Sequence, residues 1–502
     1  LQPKWLIPSP KHPEGGPRHF VDYQTDVTVA DIALAVSEGY HSVEHLKRYT
    51  TLGMGTDQGK TANVLAIGIM AESMGQTMED TGTTIFRPPY VPVAIGAFAG
   101  RRRGMEFYPT RYTPSHDWSA EQNAVFVEVG MWYRSQWFPL PGETHWRQSV
   151  DREVRQTRSS VGICDVTTLG KIDIKGEDVS EFLNKVYANA FAKVPVGKTR
   201  YGLMLREDGI AMDDGTTARL SENHFVMTTT TANAVSVYRH LQFCHQCLWP
   251  DLDVHMISVT EQYAQYAVAG PNSRKLLEKI VDPECDISNE AFPYMAAGEI
   301  TVCGGVPARL FRISFSGELA YEIAVPTRYG DSLMRVLMEA GEEFSVIPYG
   351  TEALGVMRIE KGHAAGPELN GQTSAYDLGM GGMISGKKDF IGYTLGLREE
   401  LQRDDRMQMV GFKPVNPNDL LLAGSHLLGL RDKATTENDQ GWISSCIYSP
   451  ILGHYIGIGF IKSGHSRKGE NVRAVDLVRG NDVEVEICSP HFFDPEGERL
   501  RV

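Results

Sequence analysis

Two adjacent carboxylates, Asp213 and Asp214, follow two short apolar segments within residues 201–217. The run turns at Gly209 and continues into the aspartate pair. Because Asp and Gly are poor strand formers, the pair is predicted where a β-hairpin ends, with one carboxylate turned inward and one outward. A carboxylate held near a ligand nitrogen can accept or return a proton. An isolated pair is more typical of a solvated turn, so the surrounding motifs must decide between these interpretations.

Length and composition limit the classes of protein to consider. With 502 residues, the chain is too long for one hydrophobic core. Its net charge of −14 argues against sequence-independent nucleic-acid binding, and it contains no apolar run near the roughly 20 residues of a membrane span. The seven cysteines, an odd number beginning at Cys164, favour a reducing cytoplasm over a disulfide framework. A start at Leu1, with neither an initiator Met nor a signal peptide, suggests a fragment or a processed product.

The pattern along the chain predicts an α+β protein in several parts. Helical spacing predicts a small helical domain over residues 1–75, followed by an aperiodic connector over 76–150. Alternating strands and helices indicate an α+β region over 151–400. Short strands between Gly and Pro turns indicate a small β-barrel over 401–502, with a sandwich as the alternative.

Several apparent ligand motifs fail on spacing. Three Gly-Lys segments resemble phosphate loops, but none has the full Walker pattern. No strand-linked GxGxxG is present, so the chain shows no dinucleotide site of its own. His41 and His45 are spaced as a helical metal pair but lack a third ligand, so no metal site is predicted.

Ordered motifs connect the aspartate pair to a known family. Residues 314–323 resemble the signature Tyr-Thr-Gly-Glu-x-Gly-x-Glu of the glycine-cleavage T-protein, or aminomethyltransferase, family. The aspartate run, residues 269–274 and residues 358–362 match the same family in the same order. This resemblance implies a tetrahydrofolate site within residues ~150–400.

A second resemblance covers essentially the whole chain. Residues 47–60, 82–90, 348–352 and 494–499 resemble the α-subunit family of heterotetrameric sarcosine oxidases. In that family the α subunit is about twice this length, which implies a preceding NAD-binding half. It also implies a flavin (FMN or FAD) on or shared with a β subunit, further smaller subunits, and a small-molecule amine as substrate.

The T-protein resemblance assigns roles to individual residues. The acid–base aspartate of the family falls on Asp213 or Asp214, and the spacing from Tyr201 favours Asp214. Glu322 aligns with the glutamate that binds the pterin ring, where a carboxylate can accept two N–H bonds from an amidine-like edge. We therefore expect Asp214, or Asp213, to be catalytic and Tyr201 and Glu322 to bind folate.

Other positions depart from the family pattern. Phe315 replaces a family Tyr, which preserves stacking on folate but removes a hydroxyl. A substrate-contacting Arg of the family falls on Leu354. Arg358 is a candidate folate contact, although a structural role is favoured, with Glu360 as a plausible partner.

The first 75 residues resemble a small helical domain that carries a [2Fe–2S] cluster on four cysteines in related proteins. The corresponding positions here are Asp22, Gln24, Asp57 and Ala62. Such a cluster requires thiolate ligands, and no cysteine precedes Cys164. We therefore expect a retained structural domain without a cluster.

Together, the resemblances imply that a partner's flavin oxidises an N-methyl amine to an imine. This chain then transfers the one-carbon unit to tetrahydrofolate, giving 5,10-methylenetetrahydrofolate and a demethylated amino acid. One alternative is a subunit of a related N-methyl amino acid dehydrogenase or oxidase. Others are a non-catalytic scaffold that has lost folate binding and a stand-alone methyltransferase.

Overall fold

The computed structural model describes residues 3–13, 15–87, 91, 93–102, 104 and 109–502. The chain divides into two compact units, residues 1–109 and 110–502. The connector predicted over residues 76–150 spans this division and contains short helices and strands. No helix in the described part of the chain is long and apolar enough to cross a bilayer.

The first unit is mainly helical, with a two-stranded antiparallel sheet at its start. Helix α1 begins at a capping box in which Thr28 and Asp31 satisfy each other's backbone N–H groups. The apolar faces of α1, α2 and α3 meet in one core that includes Ile32, Leu46 and Met70. The elements are β1 Phe20–Asp22, β2 Val27–Thr28, α1 Val29–Ser37, α2 Val43–Thr50, α3 Asn63–Met74, α4 Met78–Thr81 and α5 Ile95–Phe98.

Hydrogen bonds link three of the four positions that correspond to cluster ligands in the resembling domains. Asp22 accepts from the backbone N–H of Gln24 at 2.9 Å and of Gly53 at 2.8 Å. The Gln24 side-chain oxygen accepts from the N–H of Asp57 at 3.3 Å. Ala62 is buried in the apolar core. Asp22, Gln24 and Asp57 therefore form a hydrogen-bonded polar cluster at the loop before α3.

The second unit begins with a small three-stranded sheet in which β3 runs parallel to β5 and β4 runs antiparallel to it. A helix, α7, then leads into the α+β region. The elements are β3 Arg111–Tyr112, α6 His116–Glu121, β4 Val125–Val129, β5 Trp132–Trp137 and α7 Trp146–Ser159.

A five-stranded and a six-stranded sheet form the centre of this unit. The five-stranded sheet has the order β11-β7-β10-β9-β8, and the six-stranded sheet has the order β13-β14-β15-β12-β6-β16. The strands are β6 Gly162–Asp165, β7 Gly170–Lys175, β8 Lys198–Leu205, β9 Ala211–Ser221, β10 His224–Thr229, β11 His255–Ser258, β12 Tyr263–Ala269, β13 Ala297–Val302, β14 Val306–Phe311, β15 Ala320–Pro326 and β16 Ile347–Pro348. The helices are α8 Val179–Val186, α9 Ala234–Phe243, α10 Ser273–Leu277, α11 Gly330–Ala340, α12 Thr351–Lys361, α13 Tyr393–Gly396 and α14 Glu399–Gln402.

Each sheet packs helices on its outer face and turns its inner face toward the other sheet. The five-stranded sheet is covered by α8 and α9, and the six-stranded sheet by α10 and α11. Between the inner faces, Ala218 packs with Phe311 and Ala324. Arg309 on β14 crosses this gap and makes two bonds, at 2.8 and 2.7 Å, to Asp173 on β7. Apolar packing and a buried ion pair therefore hold the two inner faces together.

The chain ends in a closed six-stranded barrel with the order β17-β20-β19-β18-β21-β22. Alternating residues such as Val410, Phe412 and Val485 fill its interior. The α+β region and the C-terminal barrel that the sequence predicts are both present. The strands are β17 Met407–Pro414, β18 His426–Leu428, β19 Gly441–Ser449, β20 His454–Lys462, β21 Asn471–Asp476 and β22 Asn481–Cys488.

The predicted position of the aspartate pair is wrong. Asp213 and Asp214 lie inside the eleven-residue strand β9, not at the end of the hairpin. Gly215 fits there because a Cβ at this position would lie 2.1 Å from the carbonyl oxygen of Thr228 on β10. Tertiary hydrogen bonds to both carboxylates thus override the weak strand propensity of Asp-Asp-Gly.

Candidate active site

Asp214 and Tyr201 form a hydrogen-bonded pair on the inner face of the five-stranded sheet. The Tyr201 hydroxyl donates to Asp214 Oδ2 at 2.7 Å, across the pairing of β8 with β9. Burial and the charge of the neighbouring Asp213 together raise the pKa of Asp214 to about 6, against the hydrogen bond from Tyr201, which lowers it. Burial and the two aspartates also raise the pKa of Tyr201. Asp214 can therefore both hold and release a proton near neutral pH.

Asp213 points to the opposite face of the strand and is 2 % exposed. Its carboxylate accepts from the backbone N–H of Thr230 at 3.2 Å and from the Asn233 amide at 3.0 Å. Burial raises its pKa, and these bonds oppose that effect. Asp213 thus fixes the connection between β10 and α9, which leaves Asp214 as the carboxylate that faces the gap.

Glu322 lies on β15, on the inner face of the six-stranded sheet, and is 8 % exposed. It accepts a short hydrogen bond from the side-chain amide of Gln265 on β12. Burial raises the pKa of Glu322 to about 7, although Gln265 and Lys171 lower it. A ligand with N–H donors would favour the ionised form of this carboxyl.

Strand alternation places Asp214 and Glu322 on surfaces that face each other. Ala218 lies four residues after Asp214 on β9, and Ala324 lies two residues after Glu322 on β15, so each alanine shares a face with its carboxylate. Since Ala218 and Ala324 pack in one cluster, the two carboxylates belong to the inner faces that meet there. The predicted catalytic and pterin-binding residues therefore lie on the two sheet faces that meet at this cluster.

Phe315 lies in the loop between β14 and β15, with 39 % of its surface exposed. Its ring lies 5.6 Å from the ring of His363, centroid to centroid, and its carbonyl oxygen is 3.1 Å from His363 Nδ1. Burial lowers the pKa of His363 to about 4, so this imidazole is neutral at pH 7. Phe315 thus offers an exposed aromatic face supported by a neutral ring.

Arg358 on α12 is engaged in a buried ion pair. It donates to Glu368 Oε2 at 2.8 Å and to the Ser445 hydroxyl on β19 at 2.7 Å. The expected structural role is present, but the partner is Glu368 rather than Glu360. Glu360 instead pairs with Arg158 at 2.5 Å. Arg358 therefore anchors the α+β region to the barrel through side chains that the sequence does not place together.

Sequence reasoning missed Lys171, Thr167 and Gln265, which lie beside Glu322 on or next to the inner faces. Lys171 is 3 % exposed on β7, in a strand that also buries Asp173. The sequence signal that could have identified Lys171 is the placement of charged residues at alternate positions of the otherwise apolar strand β7. Within the described residues, no group of three His, Cys, Asp or Glu side chains has the geometry to hold a metal ion.

Three protein-family models match successive parts of the chain. A family model of the GCVT N-terminal domain matches residues 115–388, more than half of the chain, and includes both sheets. The chain belongs to the glycine cleavage T-protein family. A model of the glycine cleavage T-protein C-terminal barrel domain matches residues 408–494, and a sarcosine oxidase A3 domain model matches residues 16–101.

Similar proteins extend the resemblance over the whole chain. The sarcosine oxidase subunit alpha of Rhizobium meliloti (strain 1021) is 53 % identical over 502 residues, which cover 100 % of this chain and 50 % of that protein. The sarcosine oxidase subunit alpha of Corynebacterium sp. (strain P-1) is 44 % identical over 504 residues, which cover 99 % of this chain and 52 % of that protein. The chain thus spans about half the length of these curated relatives, and the resemblance predicted from the sequence is confirmed.

A solved structure shares the fold of most of this chain. The crystal structure of the glycine cleavage system aminomethyltransferase T from Bartonella henselae superposes with a TM-score of 0.66 at 22 % identity. The match covers 77 % of this chain and 98 % of that chain. At this identity the likeness establishes the fold, while the roles of individual residues depend on the geometry of this site.

Proposed function

We propose that this chain binds tetrahydrofolate between its two inner faces and transfers a one-carbon unit to it from an imine. The observation that carries the proposal is the placement of Asp214 and Glu322 on facing surfaces, each with a pKa raised toward neutrality. Acid–base groups work best when their pKa lies near the working pH. Membership of the T-protein family supports folate as the ligand of this gap.

In the proposed reaction, one folate nitrogen attacks the methylene carbon of the imine and forms a C–N bond. The Asp214 carboxylate takes the proton that this nitrogen loses and returns it to the departing amine. The second folate nitrogen then displaces that amine and gives up its own proton to it, which gives 5,10-methylenetetrahydrofolate and a demethylated amino acid. Asp214 also stabilises the positive charge that develops during transfer, and Tyr201 holds its carboxylate in place.

Glu322 has a separate role in the proposal. Its ionised carboxylate accepts N–H bonds from the amidine-like edge of the pterin, in the bidentate geometry that favours such pairs. The exposed ring of Phe315 provides a surface for stacking. Asp213 acts indirectly, by fixing the strand that carries Asp214.

We assign the formation of the imine to a complex that contains this chain and other subunits. Relatives named as sarcosine oxidase alpha subunits support a flavin-bearing β subunit and smaller subunits as partners, and an N-methyl amine as the substrate. The flavin would supply the oxidation that makes the imine, and NAD would bind in a half of the α subunit outside this chain. The described residues act on the folate and on the imine after it forms.

One observation favours a second candidate, a scaffold that no longer binds folate. Arg358, a candidate folate contact, is held by Glu368 and Ser445, and Leu354 stands where the family pattern has an Arg. If this candidate is correct, both acidic residues of the gap would serve structure alone, and the chain would show no affinity for tetrahydrofolate.

Calorimetric titration with tetrahydrofolate at pH 7.5 separates these functions. We expect saturable binding by the chain and at least tenfold weaker binding by Glu322→Gln, because the variant loses a charge-assisted acceptor. The matched control is Glu299→Gln on β13 of the same sheet, where the side chain is 64 % exposed. Absence of binding by the unsubstituted chain would reject the folate proposal and support the scaffold.

A further inference from the structure

A buried lysine without an ion-pair partner lies near Glu322 on the facing sheet. Lys171 Nζ donates to the backbone carbonyls of Thr167 at 2.6 Å and Leu169 at 3.1 Å. An ammonium group has three N–H donors, so these two bonds leave one available. No carboxylate among the described residues lies within ion-pair distance of Lys171, a costly arrangement unless the charge serves a neighbour.

Hydrogen bonds connect Lys171 to Glu322 through two intervening residues, Thr167 and Gln265. The Thr167 carbonyl accepts from Lys171, and the Thr167 hydroxyl accepts from the backbone N–H of Gln265 at 3.0 Å. The Gln265 side chain then donates to the Glu322 carboxylate. We propose that Lys171 is a positioning residue that, through Thr167 and Gln265, orients the Glu322 carboxylate and keeps it ionised to bind the folate ring. This inference rests on the proposed function.

The charge states of Lys171 and Glu322 depend on each other. Burial lowers the pKa of Lys171 to about 7, and Asp165 and Glu322 oppose this change. Burial raises the pKa of Glu322 to about 7, and Lys171 opposes that change. Each charged form thus stabilises the other near neutral pH, and a ligand that requires the Glu322 anion also favours the Lys171 cation.

The other ionisable groups around this pair do not replace Lys171. Cys164 on β6 shares the inner face with Glu322, and burial raises its pKa to about 12. Burial also holds the pKa of Tyr349 well above its ordinary value, so both groups are neutral at pH 7. Asp165 accepts from the Thr167 N–H and from the Ser115 hydroxyl, at 2.8 and 2.5 Å. The Arg134 guanidinium binds the backbone carbonyl of Asp165 rather than a carboxylate.

The test is the pH dependence of tetrahydrofolate affinity in Lys171→Met, measured by calorimetry between pH 5.5 and 9. For the unsubstituted chain we expect the affinity to fall below about pH 7 as Glu322 gains a proton, and to fall again above it as Lys171 loses one. In Lys171→Met we expect at least tenfold weaker binding at pH 7, an acid limb displaced to higher pH, and no alkaline limb. Lys175→Met, exposed on the same face of β7, is the matched control and should follow the unsubstituted profile.

The pH profile of tetrahydrofolate affinity in Lys171→Arg is a second test, which applies if the Met variant does not fold. Because Arg stays charged at these pH values, its profile should keep the acid limb and lose the alkaline limb. A Lys171→Met or Lys171→Arg profile that superimposes on that of the unsubstituted chain would overturn the inference while leaving folate binding intact. A lower melting temperature without a change in either limb would assign Lys171 to structure alone. Failure of the unsubstituted chain to bind would instead reject the proposed function, and this inference with it.

Discussion

Replacing Asp214 with Asn should stabilise the protein at neutral and alkaline pH while impairing its chemistry. The pKa of this carboxyl rises from 3.8 to about 6 because it is buried. Between about pH 4 and pH 6 the folded state therefore binds more protons than the unfolded state, so stability falls as the pH rises through this window. A change of about two pKa units at 1.36 kcal/mol each corresponds to roughly 3 kcal/mol above pH 6. The variant, which does not ionise, avoids this loss.

Urea unfolding at a series of pH values measures this effect. The free energy of unfolding of Asp214→Asn should match that of the unsubstituted protein below pH 4 and exceed it by up to about 3 kcal/mol at pH 8. The control is Asp208→Asn in the turn of the same hairpin, where the bond from Arg206 lowers the pKa of the carboxyl. That exposed pair should contribute less than about 1 kcal/mol, with the opposite sign. A stability difference for Asp214→Asn that does not vary with pH would refute a buried, proton-holding carboxyl.

Three further predictions concern the surroundings of the site. Tyr201→Phe removes the bond that lowers the pKa of Asp214, so the acid limb of the pH–rate profile for one-carbon transfer should move to higher pH; an unmoved limb would mean that the bond is not made in solution. Arg358→Met leaves the buried Glu368 carboxylate without its partner and should cost about 3–5 kcal/mol in urea unfolding, while the tetrahydrofolate Kd of the folded protein stays unchanged; a weaker Kd would return Arg358 to the folate site. Gly215→Ala places a Cβ 2.1 Å from a backbone carbonyl oxygen and should cost about 1–3 kcal/mol, and a neutral result would contradict the close pairing of β9 with β10.

Local sequence patterns predicted elements well where apolar spacing was regular. Val179, Phe182, Leu183 and Val186 recur at helical spacing, and α8 buries these four side chains in one core. Ile172 and Ile174 likewise alternate with charged residues and form one buried apolar face of β7. Periodicity sufficed for these elements because each buries a single apolar face.

The arrangement of the site depended on contacts that no local pattern contains. Strand propensity predicts the aspartate pair at the end of a hairpin because propensity describes an isolated segment, whereas β9 is held on both sides by neighbouring strands. The partner of Arg358 could not be read from helical spacing, because Glu368 lies in the loop after α12. The chain from Lys171 to Glu322 includes a bond between Thr167 and Gln265, which are 98 residues apart.

The central claim is that Asp214 handles the proton during transfer of the one-carbon unit to folate. Its most direct test is the partition of product between 5,10-methylenetetrahydrofolate and formaldehyde, measured during amine oxidation by the complex of this chain with its flavin-bearing partner. We predict that Asp214→Asn leaves amine oxidation unchanged, lowers the rate of methylenetetrahydrofolate formation by about 10²–10⁴-fold and releases the one-carbon unit as formaldehyde. An unchanged yield of methylenetetrahydrofolate from the variant would contradict the account.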